Sequence, residues 1–313
     1  MSNIVNNYNA PLPSVKAGSG AFLTKDYLKS MKLMTKETVV TALPEHMLNL
    51  RAALPLLFIA IFCMTMTSCS DDDDLLPEDL TPWYEDMTSL KADFAKALAD
   101  AQWPDASKTT TELTPIRDDN PALEWETVDG KHMVLVCAML NHANLRFWEA
   151  TDTFRLTKQT GLWVTLPSDW KHRAKEFAGM DSLASRYRMI QMLGLWPDCD
   201  YDTMVEFYVD ADALFRPAYD PSITTTTSGV SFPKWANDSY VVGETNFREW
   251  FDYQKSVAYV GDYACPWTQL GYTYDWHHGA SRVGLSEFVA SVGALSDIKA
   301  RLGSWTFIRE MQK

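Results

Sequence analysis

The chain has 313 residues, 46% of them hydrophobic and 22% charged, a composition that excludes a disordered polymer and fits a globular protein. Its 28 Lys and Arg stand against 41 Asp and Glu, and only three of the acidic residues but six of the basic ones fall before Cys69. The strongly acidic remainder repels phosphate, which argues against nucleic acid as a partner and against electrostatic docking on anionic lipid.

Residues 1–46 are rich in Asn, Ser and Gly without sustained periodicity and read as an upstream extension or leader, with Met47 placed to serve as the initiator. From Leu54 to Met64 the chain runs LPLLFIAIFCM, eleven residues without a charge. A spanning helix needs roughly 20 apolar residues, whereas the apolar core of a secretory signal takes about 7–15. Arg51 supplies the positive charge just before it. Residues 47–68 therefore read as a signal peptide.

The junction Met66-Thr67-Ser68-Cys69 resembles a bacterial lipobox, with Met66 where leucine is usual. Ser70 and Asp71 to Asp74 resemble the acidic export signal of surface-exposed lipoproteins of some Gram-negative lineages. The resemblance implies lipidation of Cys69, a membrane contact made through that lipid, and an outer-membrane, cell-surface location. Acyl chains contribute roughly 0.8 kcal/mol per buried CH₂, so several together anchor stably. An ordinary signal cleaved near Ser68, or an N-terminal anchor, is the alternative. Residues 69–81 form an acidic tether, and residues 82–313 the globular domain.

Within that domain Leu90, Phe94, Leu98 and Ala101 recur at helical spacing, and Trp103-Pro104 ends the helix. Asp129-Gly130 signals a hairpin turn between strands Leu123–Val128 and His132–Leu140. The second arm, MVLVCAML, is continuously apolar and predicts a strand covered on both faces. Gly161–Leu166 is a third strand. Ser168 and Asp181 are placed to cap two helices ending near Gly179 and Gly194.

Met204–Val209 is a fourth strand, and the Thr-, Pro- and Gly-rich stretch 220–238 a long loop. Thr245 is placed to cap a helix carrying Phe247, Trp250 and Phe251. Leu270–Trp276 and Leu285–Val289 complete the strands, and Ser296–Leu302 reads as a terminal helix stopped by Gly303. Strands and helices in mixed order predict a single α+β domain with a mixed, largely antiparallel sheet packed against helices.

Several side chains are placed for chemistry. Asp275 and His277, at i and i+2 of a strand, share a face, and Glu287 on the next strand could complete a set of ligands for a divalent metal or an acid/base pair. An exposed turn at His277-His278-Gly279 is the simpler account. Asp198, Asp200 and Asp202 open with the rhythm of a calcium loop, but Thr203 and Val209 stand where its glycine and glutamate belong. Glu206, Tyr208 and Asp210 share a strand face and could form a paired-carboxylate site.

All twelve tryptophans lie beyond Cys69, and Trp235 and Trp267 are the candidates for exposed, sugar-stacking rings. Cys137, Cys199 and Cys265 allow at most one disulfide. Spacing does not select the pair, and the apolar run around Cys137 makes Cys199–Cys265 the expected bridge. The chain lacks GxSxG, HExxH, Walker, GxGxxG and CxxC signatures. CPWTQLGYTYDWHHG, with GLSEF after it, resembles a block found in uncharacterised bacterial proteins and implies no activity.

These features favour a surface lipoprotein binding an extracellular glycan or peptide. A secreted hydrolase using Asp275, His277 and Glu287, with or without a metal, is the second reading. A subunit or immunity-type partner of a surface protein complex is the third.

Overall fold

The computed structural model describes residues 82–146, 148, 153–157 and 161–313. The leader, the signal segment, the lipobox at Cys69 and the acidic tether lie outside the described residues. In chain order the elements are α1 (Met87–Ala101), β1 (Trp125–Val128), β2 (Lys131–Asn141), α2 (His142–Leu145), β3 (Thr153–Arg155), β4 (Leu162–Thr165), α3 (Pro167–Arg173), α4 (Ser182–Met192), β5 (Tyr201–Asp210), β6 (Leu214–Phe215), β7 (Val241–Val242), β8 (Thr245–Asn246), α5 (Phe247–Val257), β9 (Tyr272–Tyr274), β10 (Val283–Ala290), β11 (Leu295–Gly303) and α6 (Ser304–Met311).

The domain is α+β, built on a sheet ordered β3-β11-β5-β2-β4-β10-β6, with β1 paired to β2 and β9 to β10. The pairings among the described strands are antiparallel. β4 and β5 both flank β2 and so run in the same direction, joined by the crossover that carries α3 and α4. No helix among the described residues is long and apolar enough to cross a membrane.

β2 is the centre of the core, and its side chains alternate between two apolar layers. Val134, Val136, Ala138 and Leu140 join the cluster that holds Val205, Phe207 and Val209 of β5. Cys137 and Met139 point the other way, under Trp170 of α3, Met189 and Met192 of α4, and Phe307 and Ile308 of α6. A strand covered on both faces has no solvent side to mark with polar residues, which is why its sequence is unbroken. Each fully buried Val, Leu or Phe of this kind contributes about 1.5–3 kcal/mol.

Local chemistry sets several boundaries. Asp129 and Gly130 take φ of 52° and 75°, the left-handed pair that a two-residue hairpin turn between β1 and β2 requires. Asp181 caps α4 through the Ala184 amide at 2.8 Å. The other two caps differ from expectation. α3 starts two residues early, at Pro167, whose fixed φ suits the first helical position, and Ser168 makes no cap bond. At α5, Asn246 takes the cap, accepting from Glu249 N at 3.1 Å, while Thr245 pairs in β8.

The expected terminal helix at Ser296–Leu302 is instead the strand β11, and the helix begins after Gly303. Ile298, Ala300 and Leu302 are half-buried while Lys299, Arg301 and Gly303 are exposed, a period of two. Ladder bonds to β5 and β3 override the helical preference of Lys, Ala, Arg and Leu.

Loop 220–238 is tied at its start by one buried side chain. Arg216, wholly buried, donates to the carbonyls of Thr114, Ser222, Thr225 and Gly271. Burial lowers its pKa to about 10, so the guanidinium stays charged at neutral pH.

Candidate functional site

On β5, Met204 and Tyr208 face the helix layer, and Glu206 lies between them on the same side. The helices cover Met204 but stop short of Glu206. What remains is a cleft of about 490 Å³, floored by Leu135 of β2 and Glu206, and walled by the start of α3, the end of α6 and the segment leading into β1.

Glu206 is only 6% exposed, yet among the described residues no hydrogen bond or ion pair reaches its carboxylate. Burial raises its pKa, Lys299 opposes the rise, and Glu310 and Glu124 add to it. Ser168 Oγ, on another wall of the same cleft, is also buried without a partner.

Lys299 sits at a β-bulge. Ile298 pairs with Phe207 and Ala300 with Glu206, so Lys299 is the extra residue, and a bulge of this kind re-aims the side chain. Its ammonium contacts both oxygens of Glu124 at 2.7 and 2.8 Å. Tyr208 also donates its hydroxyl to Glu124. Burial works against ionisation of Glu124, but the bonds from Lys299 and Tyr208 prevail and hold its pKa below the ordinary value. Of the three glutamates on the cleft, Glu310 is exposed at the rim, while Glu124 and Glu206 stand in opposite conditions: Glu124 paired, Glu206 bare.

Of the face expected to carry Glu206, Tyr208 and Asp210, Glu206 lines this cleft and Tyr208 lies behind it, bonded to Glu124. Asp210 pairs with Lys131. The three residues are buried rather than an exposed strand face.

Asp275, His277 and Glu287 do not assemble into one site. The side chain of Asp275 is fully shielded and accepts from Arg188 Nη1 at 2.8 Å and Nη2 at 2.6 Å, and from Arg173 Nη2 at 3.1 Å. It also accepts from the backbone amide of His277 at 3.1 Å. The imidazole is oriented by Gln191 instead, its Nδ1 2.9 Å from Oε1, with the Trp83 ring edge-on at 5.3 Å. Burial first, then Arg188, lowers the His277 pKa. Asp275 and His277 border a second, shallower cleft of about 370 Å³ with Asp93, Tyr274 and Arg282.

Glu287 belongs to other surroundings. Its amide donates to Gly271 O at 3.1 Å and its carboxyl lies near Arg216. Burial pushes its pKa up to about 8, and Oε1 has no partner. A neutral acid tolerates such a place far better than a carboxylate.

Trp267 is buried, 3% exposed, rather than displayed: its Nε1 donates to Pro217 O at 2.8 Å, which lets the whole ring enter the cluster around α5. Trp235 is 48% exposed and stands edge-on to Tyr240 at 5.1 Å. Asp198 pairs with Lys91 at 2.9 Å, Asp202 accepts from Thr203 and faces His142, and Asp200 is exposed. Among the described residues no three His, Cys, Asp or Glu side chains are grouped to hold a metal ion.

The expected Cys199–Cys265 bridge is not formed. Cys199 packs between α1 and α4, Cys265 beside the α5 cluster, and Cys137 in the central core, each as a free thiol.

The chain matches no protein-family model, and no curated protein or solved structure is significantly similar to it. The cleft residues that escape sequence reading are Glu124, Ser168, Lys171 and Lys299. Ser168 and Lys171, one turn apart at a helix start, left the only local signal.

Proposed function

We propose that the chain is a lipoprotein anchored in the outer membrane through lipid on Cys69, surface-exposed behind its acidic tether, and that its α+β domain binds an extracellular glycan or peptide in the Glu206 cleft. The observation that carries the binding half is a buried carboxylate without a protein partner on the floor of a cleft of about 490 Å³. Buried polar groups are ordinarily paired, and an orphan lining open space is a place for a ligand. The sequence at 66–74 supports the anchor.

Two experiments test this reading. Labelling with radioactive palmitate is expected to vanish in Cys69→Ala and to persist when Asp71–Asp74 become Asn, with surface exposure reduced in the latter. Continued labelling of Cys69→Ala would overturn the anchor. Probing glycan and peptide arrays with the domain is expected to retain a ligand that is lost in Glu206→Ala and kept in Trp235→Ala. The reverse pattern would move the site to Trp235, and no retention at all would end the binding reading.

A further inference from the structure

We infer that the Glu206 cleft takes its ligand by a primary ammonium group, the free α-amine of a short peptide, with the ligand's carboxylate held at the rim by Lys171. This rests on the cleft being a binding site and names what binds there.

Glu206 is largely withdrawn from water, with its carboxylate open only to the cleft, and no cation pairs with it among the described residues. A partly desolvated carboxylate offsets that cost by a close positive charge or donated hydrogen bonds, or avoids it by holding a proton. Lys299, the cation whose charge acts on Glu206, is committed to both oxygens of Glu124 at 2.7 and 2.8 Å, and Tyr208 donates to Glu124 as well. Lys299 and Tyr208 thus serve one carboxylate and leave the other unpaired, facing open space, while Lys171 and Lys313 lie elsewhere on the lining.

An ammonium brings three N–H donors. One can meet Glu206, and the others can keep water in the open cleft. A hydroxylated ligand also donates, but sugars bind through their apolar faces on aromatic rings. Among the described residues no aromatic side chain lines this cleft.

The rim supplies the opposite charge. Lys171 lies one turn beyond Ser168 on α3, is exposed, and makes no ion pair among the described residues. A carboxylate floor with a lysine at its edge fits a zwitterion, amine inward and carboxylate outward. The volume lies within the range of about 300–1,000 Å³ usual for small-molecule sites.

The test is calorimetric titration of the domain with trialanine, N-acetyl-trialanine and spermidine. Trialanine is expected to bind, and N-acetylation to weaken it at least tenfold. Glu206→Gln is expected to cost at least tenfold in trialanine affinity with the unfolding midpoint unchanged or raised, since Gln removes a desolvated charge. Lys171→Ala is expected to cost about threefold to tenfold. Equal binding of the acetylated peptide, or full affinity in a folded Glu206→Gln, would overturn the ammonium assignment and leave the cleft as a site for another group. Spermidine binding without trialanine binding would overturn the peptide. If none of the three binds, the inference fails, and the array experiment then decides separately whether the cleft binds anything.

Discussion

Arg188 grips both carboxylate oxygens of Asp275, at 2.8 and 2.6 Å, and the two side chains are 3% and 0% exposed. A bidentate pair so shielded is worth little against an apolar pair of the same shape, but removing one partner strands a buried charge. Asp275→Ala is expected to destabilise the domain by about 3–5 kcal/mol, read from its urea midpoint. The double variant with Arg188→Ala should lose less than the sum of the two single variants. Losses below about 1 kcal/mol would mean that water reaches the pair.

Glu287 predicts a pH dependence. Its pKa is about 8 in the fold against an ordinary 4.5, so the folded state binds the proton more tightly than the unfolded chain. That contribution to stability is complete below pH 4.5 and is lost as pH rises through 8. It amounts to at most about 5 kcal/mol at 1.36 kcal/mol per unit. Glu287→Gln should flatten the decline between pH 5 and 9 in thermal unfolding and raise the midpoint at the alkaline end. An unchanged slope would place the titration elsewhere.

The two tryptophans singled out from the sequence should separate cleanly. Trp267→Ala opens the aromatic cluster and strands the Pro217 carbonyl, at a cost of about 3–5 kcal/mol. Trp235→Ala, at a half-exposed ring, should stay within about 0.5 kcal/mol. Chemical denaturation of both variants compares them directly.

Three free thiols give a chemical prediction. Unfolding without reductant and alkylating should modify Cys137, Cys199 and Cys265 in full, and a reducing agent should leave the melting temperature of the folded domain unchanged. In the folded state Cys137 should be the least reactive, because burial drives its pKa far up. A disulfide-linked tryptic peptide joining Cys199 to Cys265 would contradict the structure.

What the sequence discloses follows the range of its forces. Asp181 at its cap and Asp129-Gly130 in their turn act within three residues, so their patterns are complete on the page. β2 is legible for another reason, since two-sided burial leaves only apolar residues. β11 is not: Ser296–Leu302 carries helix formers, and only its place between β3 and β5 makes it a strand. The cleft is legible in part. Glu206 and Tyr208 stand out by alternation, whereas Lys299 arrives through a bulge and Glu124 from a segment 82 residues upstream of Glu206 in the chain. Asp275 misled because i and i+2 spacing is equally good for a ligand pair and for a carboxylate that accepts its neighbour's amide.

The guanidinium of Arg216 has a kinetic consequence. Its four carbonyls belong to Thr114, Ser222, Thr225 and Gly271, stretches separated by up to about 160 residues of chain. Such a knot is drawn tight only after remote segments have met, so it adds contacts of long sequence separation to a sheet that is already non-local. Folding is expected to be slow for the domain's size. Arg216→Lys, with three donors in place of five, should chiefly quicken unfolding, as an interaction completed after the rate-limiting step does.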